Sequence, residues 1–288
     1  MEWAALILGR AMAIAPAKLG ELWESRELLT NLVGKELKLR YKSSVLGFLW
    51  SLLTPLLMTG VFTVVFAIFL RIPLGEGNFA TFFLAGYLVW TFFSNSVNSS
   101  VGAIVGNGAL VKKVYFPREV LPLSLVLSQA VHFLLALLAT SPLFLYYRGF
   151  HPELLPAIAL GLVLLVGFTA GVSMLFAAVN VSFRDLQELT QVLFLAWFYS
   201  TPVIYPLIFL SEGTARYFLP LVLANPLTWY VEFFHQVLYG IPAIQGANPL
   251  PTWPDLRTWA VCAVWAAVAL TAGYTLFHRR AVSFAKEV

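Results

Sequence analysis

The side chains able to do covalent chemistry are few in this sequence and far apart. Only two aspartates occur, Asp185 and Asp255, so no Asp-x-Asp pair is present to hold a metal and a nucleotide sugar. The four histidines, His132, His151, His235 and His278, are scattered with no neighbour at metal-ligand spacing, which argues against a metal site. Cys262 is the single cysteine and lies in an apolar run, so an intrachain disulfide is excluded. Gly34-Lys35 lacks the preceding glycine and the following Ser or Thr of a phosphate-binding loop, so this chain is not expected to hydrolyse ATP. The long apolar stretches contain no acidic residue, where proton- or sodium-coupled transporters need carboxylates. His132, alone in such a stretch, reads as a bundle-facing residue with a backbone partner rather than a proton relay. What remains is non-covalent chemistry. The chain carries 24 Phe, 11 Tyr and 9 Trp, and a passive channel or a permease energised by another subunit is the class left open.

The elements that must position these groups follow from composition. Sixty per cent of the 288 residues are hydrophobic and 11% are charged, against about 25% charged in an ordinary soluble domain. With a mean hydropathy of +0.82, the solvent is a bilayer and the expected class is an all-α integral membrane protein. Six stretches have the length and apolarity to cross: 45–70, 79–100, 121–147, 154–183, 189–210 and 258–277. They are apolar all round, as lipid-facing or bundle-core helices must be. Placing both termini in the cytoplasm puts every Lys and Arg inside except Arg71, Arg148, Arg216 and Arg257. The net charge of +4 is therefore a topology signal, and no nucleic-acid partner is expected. A secretory leader is not expected either, because Glu2 replaces the basic start and Arg10 interrupts the short apolar run.

Residues 1–44 form the expected cytoplasmic or interfacial segment. There Leu19, Leu22, Trp23, Leu29, Val33 and Leu37 recur at helical spacing, opposite Glu21, Glu24, Glu27, Asn31 and Lys35. This predicts an amphipathic helix at the inner membrane surface, or one packed on a partner protein. Residues 45–288 are the expected six-helix domain. Within it, the Pro-punctuated region 212–256 holds apolar runs too short to cross, which suits re-entrant helices between the fifth and sixth spans or a cap on the external leaflet.

Four segments carry a family resemblance: YKSSVLGFLWSLLTP at 41–55, NGALVKKVYFPREVLP at 107–122, Thr201-Pro202-Val203-Ile204-Tyr205-Pro206, and Asn225-Pro226-Leu227-Thr228. Together, and in this order, they resemble the membrane subunit of type-2 ABC exporters, in the branch that moves O-antigen, teichoic acid and related lipid-linked glycans. The resemblance implies a homodimer bound to two copies of a cytosolic ABC ATPase, with ATP and Mg on that partner and no cofactor here. It also implies that the second segment is the coupling segment that seats in the ATPase: Lys112, Lys113, Val114, Tyr115, Phe116, Pro117, Arg118 and Glu119. An apolar-aromatic core with rim charges suits such a groove, and a plain basic loop is the alternative. Arg184 and Asp185, in the loop after the fourth span, are a second candidate contact or a simple ion pair.

The same resemblance points to the first and fifth helices as the lining of the path, which singles out Phe62, Phe66 and Phe69, and Trp197, Tyr199 and Tyr205. Interfacial anchoring and lipid-facing filler are the competing explanations. Lys38, Arg40 and Lys42 stand where the amphipathic helix meets the first span, at headgroup level, as candidates for the substrate's pyrophosphate or for anchoring on membrane lipids. The Ser/Asn patch 94–100 is too polar to face lipid. Gly102-x-x-x-Gly106 and Gly167-x-x-x-Gly171 allow close helix approach within or between subunits. The function expected is ATP-driven polysaccharide export with catalysis on a separate chain. A permease for another cargo, such as a drug or haem, and an ATP-independent channel or scaffold are the alternatives.

Overall fold

The computed structural model describes residues 20, 24–41, 49–71, 78–114, 116–210, 213–240 and 250–287, and no strand occurs among them. Helix α1 (Arg26–Tyr41) leads to α2 (Leu49–Phe62), which continues as a π-helix over Thr63–Phe69. Then come α3 (Phe79–Val101), the short α4 (Ala103–Gly106) and α5 (Gly108–Lys113), and the long hairpin of α6 (Val120–Arg148) and α7 (Leu155–Ser182). Helix α8 (Leu186–Tyr199), the short α9 (Leu219–Ala224), α10 (Pro226–Leu238) and α11 (Leu256–Glu287) complete the chain.

Among the described residues, four helical segments are long and apolar enough to cross a membrane: Phe79–Val101, Val120–Arg148, Pro152–Ser182 and Leu256–Phe284. The third and fourth expected spans coincide with α6 and α7 to within a few residues. The first appears as a shorter apolar helix, Leu53–Phe69, with residues 42–48 outside the described ones. The fifth departs from expectation. Its helix stops at Tyr199, a turn follows, and only a 3₁₀ turn, Leu207–Leu210, resumes the winding. Pro202 and Pro206 lack the N–H that would continue the ladder and push the preceding residue out of the helical region. The sixth is longer than expected, because backbone hydrogen bonding continues past the charged run His278-Arg279-Arg280 to Glu287.

Helix α3 is the hub, with most of its length buried. Its expected polar patch splits by face: Ser94, Ser96 and Ser100 turn inward, whereas Asn95, Asn98 and Ser99 are exposed. Helices α2 and α8 both pack on α3 yet leave most of their own apolar side chains uncovered. The most extensive helix–helix contact is between α7 and α11. A Cβ at Gly171 would run into the Ala269 carbonyl group, and one at Gly273 would strike the Gly171 carbonyl. The 167–171 glycine pair therefore packs within the subunit, whereas Gly106 faces open space. Helix α1 packs on α6, with Leu32 joining a cluster described below, while Glu24, Glu27, Asn31 and Lys35 are exposed as the periodicity predicts.

Candidate functional site

Two buried clusters divide the molecule. The larger is aromatic, centred on α3, α7 and α10. The smaller lies at the end where α5, α7 and α11 meet, built from Ile104, Val111, Leu121, Met174, Phe277 and Phe284. Phe116, from the loop between α5 and α6, packs against this second cluster and anchors that loop to the ends of α7 and α11.

Around Phe116 the candidate coupling residues take distinct positions. Lys112 and Lys113 close α5 and are exposed, as is Val114. Pro117 and Arg118 are half-buried, and Tyr115 lies outside the described residues. Glu119 is not a rim charge: it is 5% exposed, with Oε1 3.5 Å from His278 Nδ1 on α11. It turns inward because α6 starts at the next residue and the end of α11 lies alongside. Across α11, the Ser182 hydroxyl donates to Glu287 Oε2 at 2.9 Å, and Arg280 Nη1 lies 3.5 Å from the same hydroxyl. Arg184 and Asp185 are both exposed, and Arg184 reaches the Glu287 carbonyl (3.5 Å) rather than its sequence neighbour. Hydrogen bonds from the Ser283 and Ser182 side chains hold the Glu287 carboxyl below the usual carboxylate range. The last turns of α11 thus bridge both candidate contact loops. Nothing in the sequence marked His278 or Glu287 for this.

The candidate aromatics are also sorted by the structure. Phe62 and Phe66 stack on each other at 5.6 Å and on Phe83 (4.5 Å) and Phe79 (5.9 Å) of α3, all within 14° of parallel. Phe69 is 73% exposed. Trp197 packs edge-on against Phe93 and donates its indole N–H to Asn225 Oδ1 at 2.8 Å. Tyr205 is half-buried, its hydroxyl donating to the Tyr199 carbonyl, while the Tyr199 ring is exposed. Lys38 is exposed on α1, Arg40 lies in the last turns of that helix, and Lys42 is outside the described residues.

Asn225 joins two of the sequence motifs. Its Oδ1 also caps α10 by accepting from Leu227 N at 3.1 Å, and its Nδ2 donates to Thr201 Oγ1 at 2.9 Å. One side chain thus fixes the broken end of α8 to the start of α10.

The sequence profile of the family described as ABC-2 type transporter matches residues 27–239. The chain belongs to the ABC-2 type transporter family. This ABC-2 chain is 34% identical over 274 residues to the O-antigen export system permease protein RfbA of Myxococcus xanthus, covering 93% of this chain and 98% of that one. A Klebsiella pneumoniae protein of the same name is 35% identical over 214 residues, covering 73% and 78%. More distant is the polysialic acid transport protein KpsM of Escherichia coli, at 24% over 209 residues, covering 71% and 78%. The matched span contains all four motifs and every candidate site residue.

Proposed function

We propose that this ABC-2 chain is the channel-forming subunit for ATP-driven export of a lipid-linked polysaccharide of O-antigen or teichoic-acid type across the inner membrane. It works as a homodimer above two copies of a cytosolic ATPase, which holds the ATP and Mg. Six crossings leave both termini in the cytoplasm, with α9 and α10 entering from outside as re-entrant helices. The loop 112–119 seats in the ATPase, and Arg184 and Asp185 add a second contact. Lys38, Arg40 and Lys42 receive the substrate's pyrophosphate.

The observation that carries this is the exposed stripe Asn95, Asn98 and Ser99 on α3, in a chain similar over most of its length to O-antigen permeases. Amide and hydroxyl groups on a membrane helix are costly against lipid, so a second subunit or an aqueous path must cover them. The neighbouring α2 and α8 offer the uncovered apolar surface a dimer needs, and the exposed rings of Phe69 and Tyr199 remain accessible to sugar faces. Phe62, Phe66, Trp197 and Tyr205 then support the wall behind them.

The test is to tag the C-terminus, extract the protein gently from its native membrane, and identify what co-purifies with and without Arg118→Glu. A stoichiometric subunit with a phosphate-binding loop, lost in the variant, is the expected result. A homogeneous protein with no ATPase attached would turn the assignment to a channel or scaffold.

A further inference from the structure

Between α6 and α7 lies a cavity of about 490 Å³, lined by Leu134, Leu138 and Leu145 of α6 and Leu155 and Ala159 of α7, with Val237 of α10 as floor. Its size falls within the roughly 300–1,000 Å³ of small-molecule sites. Leu134 and Leu138 are exposed along its open side, so it communicates with the lipid phase. From Leu134 to Arg148 it runs about 21 Å at 1.5 Å per residue. That exceeds the half-thickness of a hydrocarbon core of about 30 Å, so the slot extends from near the midplane to the headgroups of one leaflet.

The headgroup end is polar and carries both signs. The Arg148 side chain is 6% exposed, with its guanidinium carbon 4.1 Å from the Tyr239 ring centroid. His151 follows two residues past Gly149, whose φ of +82° makes the turn that a side chain would strain. The His151 ring bridges the Arg148 carbonyl oxygen and Glu153 Oε1, at 3.0 Å each, and the Glu153 carboxylate is exposed.

We propose that this slot binds one phospholipid of the leaflet beside Arg148. An acyl chain lies between α6 and α7, and a zwitterionic amine-bearing headgroup places its phosphate toward Arg148 and its ammonium toward Glu153. A purely anionic headgroup would bring its charge against that carboxylate, which is why a phosphoethanolamine type fits better. The slot's lining includes none of the candidate path aromatics, so the proposal does not rest on the cargo.

Photolabelling tests it. The protein is placed in vesicles of phosphatidylethanolamine and phosphatidylglycerol, with a trace of one or the other carrying a diazirine in its acyl chain, and adducts are mapped by peptide mass spectrometry. Phosphatidylethanolamine should label residues 134–145 and 155–162 about fivefold or more above 264–268 of α11, where Val264 and Val268 are equally open to lipid. Ala159→Phe, at an exposed position, should remove that excess, and Glu153→Lys should shift the preference toward phosphatidylglycerol. Even labelling of all exposed helices, or labelling insensitive to Ala159→Phe, would overturn the site in favour of ordinary boundary lipid. Selective displacement by a polyisoprenyl pyrophosphate would overturn it in favour of cargo. Neither result bears on whether an ATPase co-purifies.

Discussion

Replacing Asn225 by alanine probes how α8 is held. The change removes the cap on Leu227 N, the acceptor for the Trp197 indole and the donor to Thr201. A lost N-cap costs about 1 kcal/mol. Each orphaned side-chain partner adds roughly 0.6–1 kcal/mol, nearer the lower figure among membrane helices. The sum is about 2–3 kcal/mol, or roughly 4–9 °C in melting midpoint for a chain of this size, read by fluorescence-detected size exclusion after heating in mild detergent. Asn225→Asp supplies the internal comparison. It keeps both acceptor contacts and loses the Nδ2 donations to Thr201 Oγ1 and the Ser200 carbonyl, so it should cost about 1–2 kcal/mol. In a Trp197→Phe background, the penalty of Asn225→Ala should shrink by about the value of the indole hydrogen bond, because the two changes remove the same contact. If Asn225→Ala melts within a degree of wild type, the side chain does not hold these elements together.

Other expectations follow from the helix contacts and the end of α11. Gly171→Ala should force α7 and α11 apart and destabilise by about 1–3 kcal/mol, whereas Gly106→Ala, facing open space, should leave the melt unchanged; the same heating assay reads both. The Glu287 carboxyl has a lowered pKa in the folded state, so its stabilising link to Ser182 is present above the unfolded carboxylate pKa of about 4.3 and is lost as pH falls through the folded value. Hydrogen exchange at 182–186 should therefore be flat from pH 8 to about pH 5 after correction for intrinsic rates, and rise only in stronger acid. A rise centred between pH 6 and 7 would assign the link to a histidine instead.

Legibility followed the range of the interaction. Helices α6 and α7 were readable almost to the residue, because unbroken apolarity between charged or proline-bearing ends is a local property. The break in α8 was half-legible: Pro202 and Pro206 weaken a helix in any context, but hydropathy alone runs through them. The end of α11 was misjudged because hydropathy stops at His278, whereas a helix continues as long as its carbonyls find donors. Asn225 stood in a motif too short to interpret, since its partners Trp197 and Thr201 lie 28 and 24 residues away. Glu119 looked like a surface charge because His278 is 159 residues distant. The Asn95 and Asn98 stripe was seen as polar, but only the fold separates it from the buried serines on the opposite face.

The separateness of the two buried clusters sets the rules for building chimaeras. A designer wishing to match this exporter to a foreign ATPase would transplant the loop 107–119 alone. That graft would carry Val111 and Phe116 into a socket cut for other side chains, since their neighbours Met174, Phe277 and Phe284 would remain the host's. The smallest self-consistent cassette takes four strips of chain together: the turn of α1 around Leu32, and 103–125, 174–185 and 270–287. Exchanged as a set, they keep the smaller cluster's own neighbours together, with Phe176 and Leu270 as the contacts to match against the larger aromatic cluster of the host.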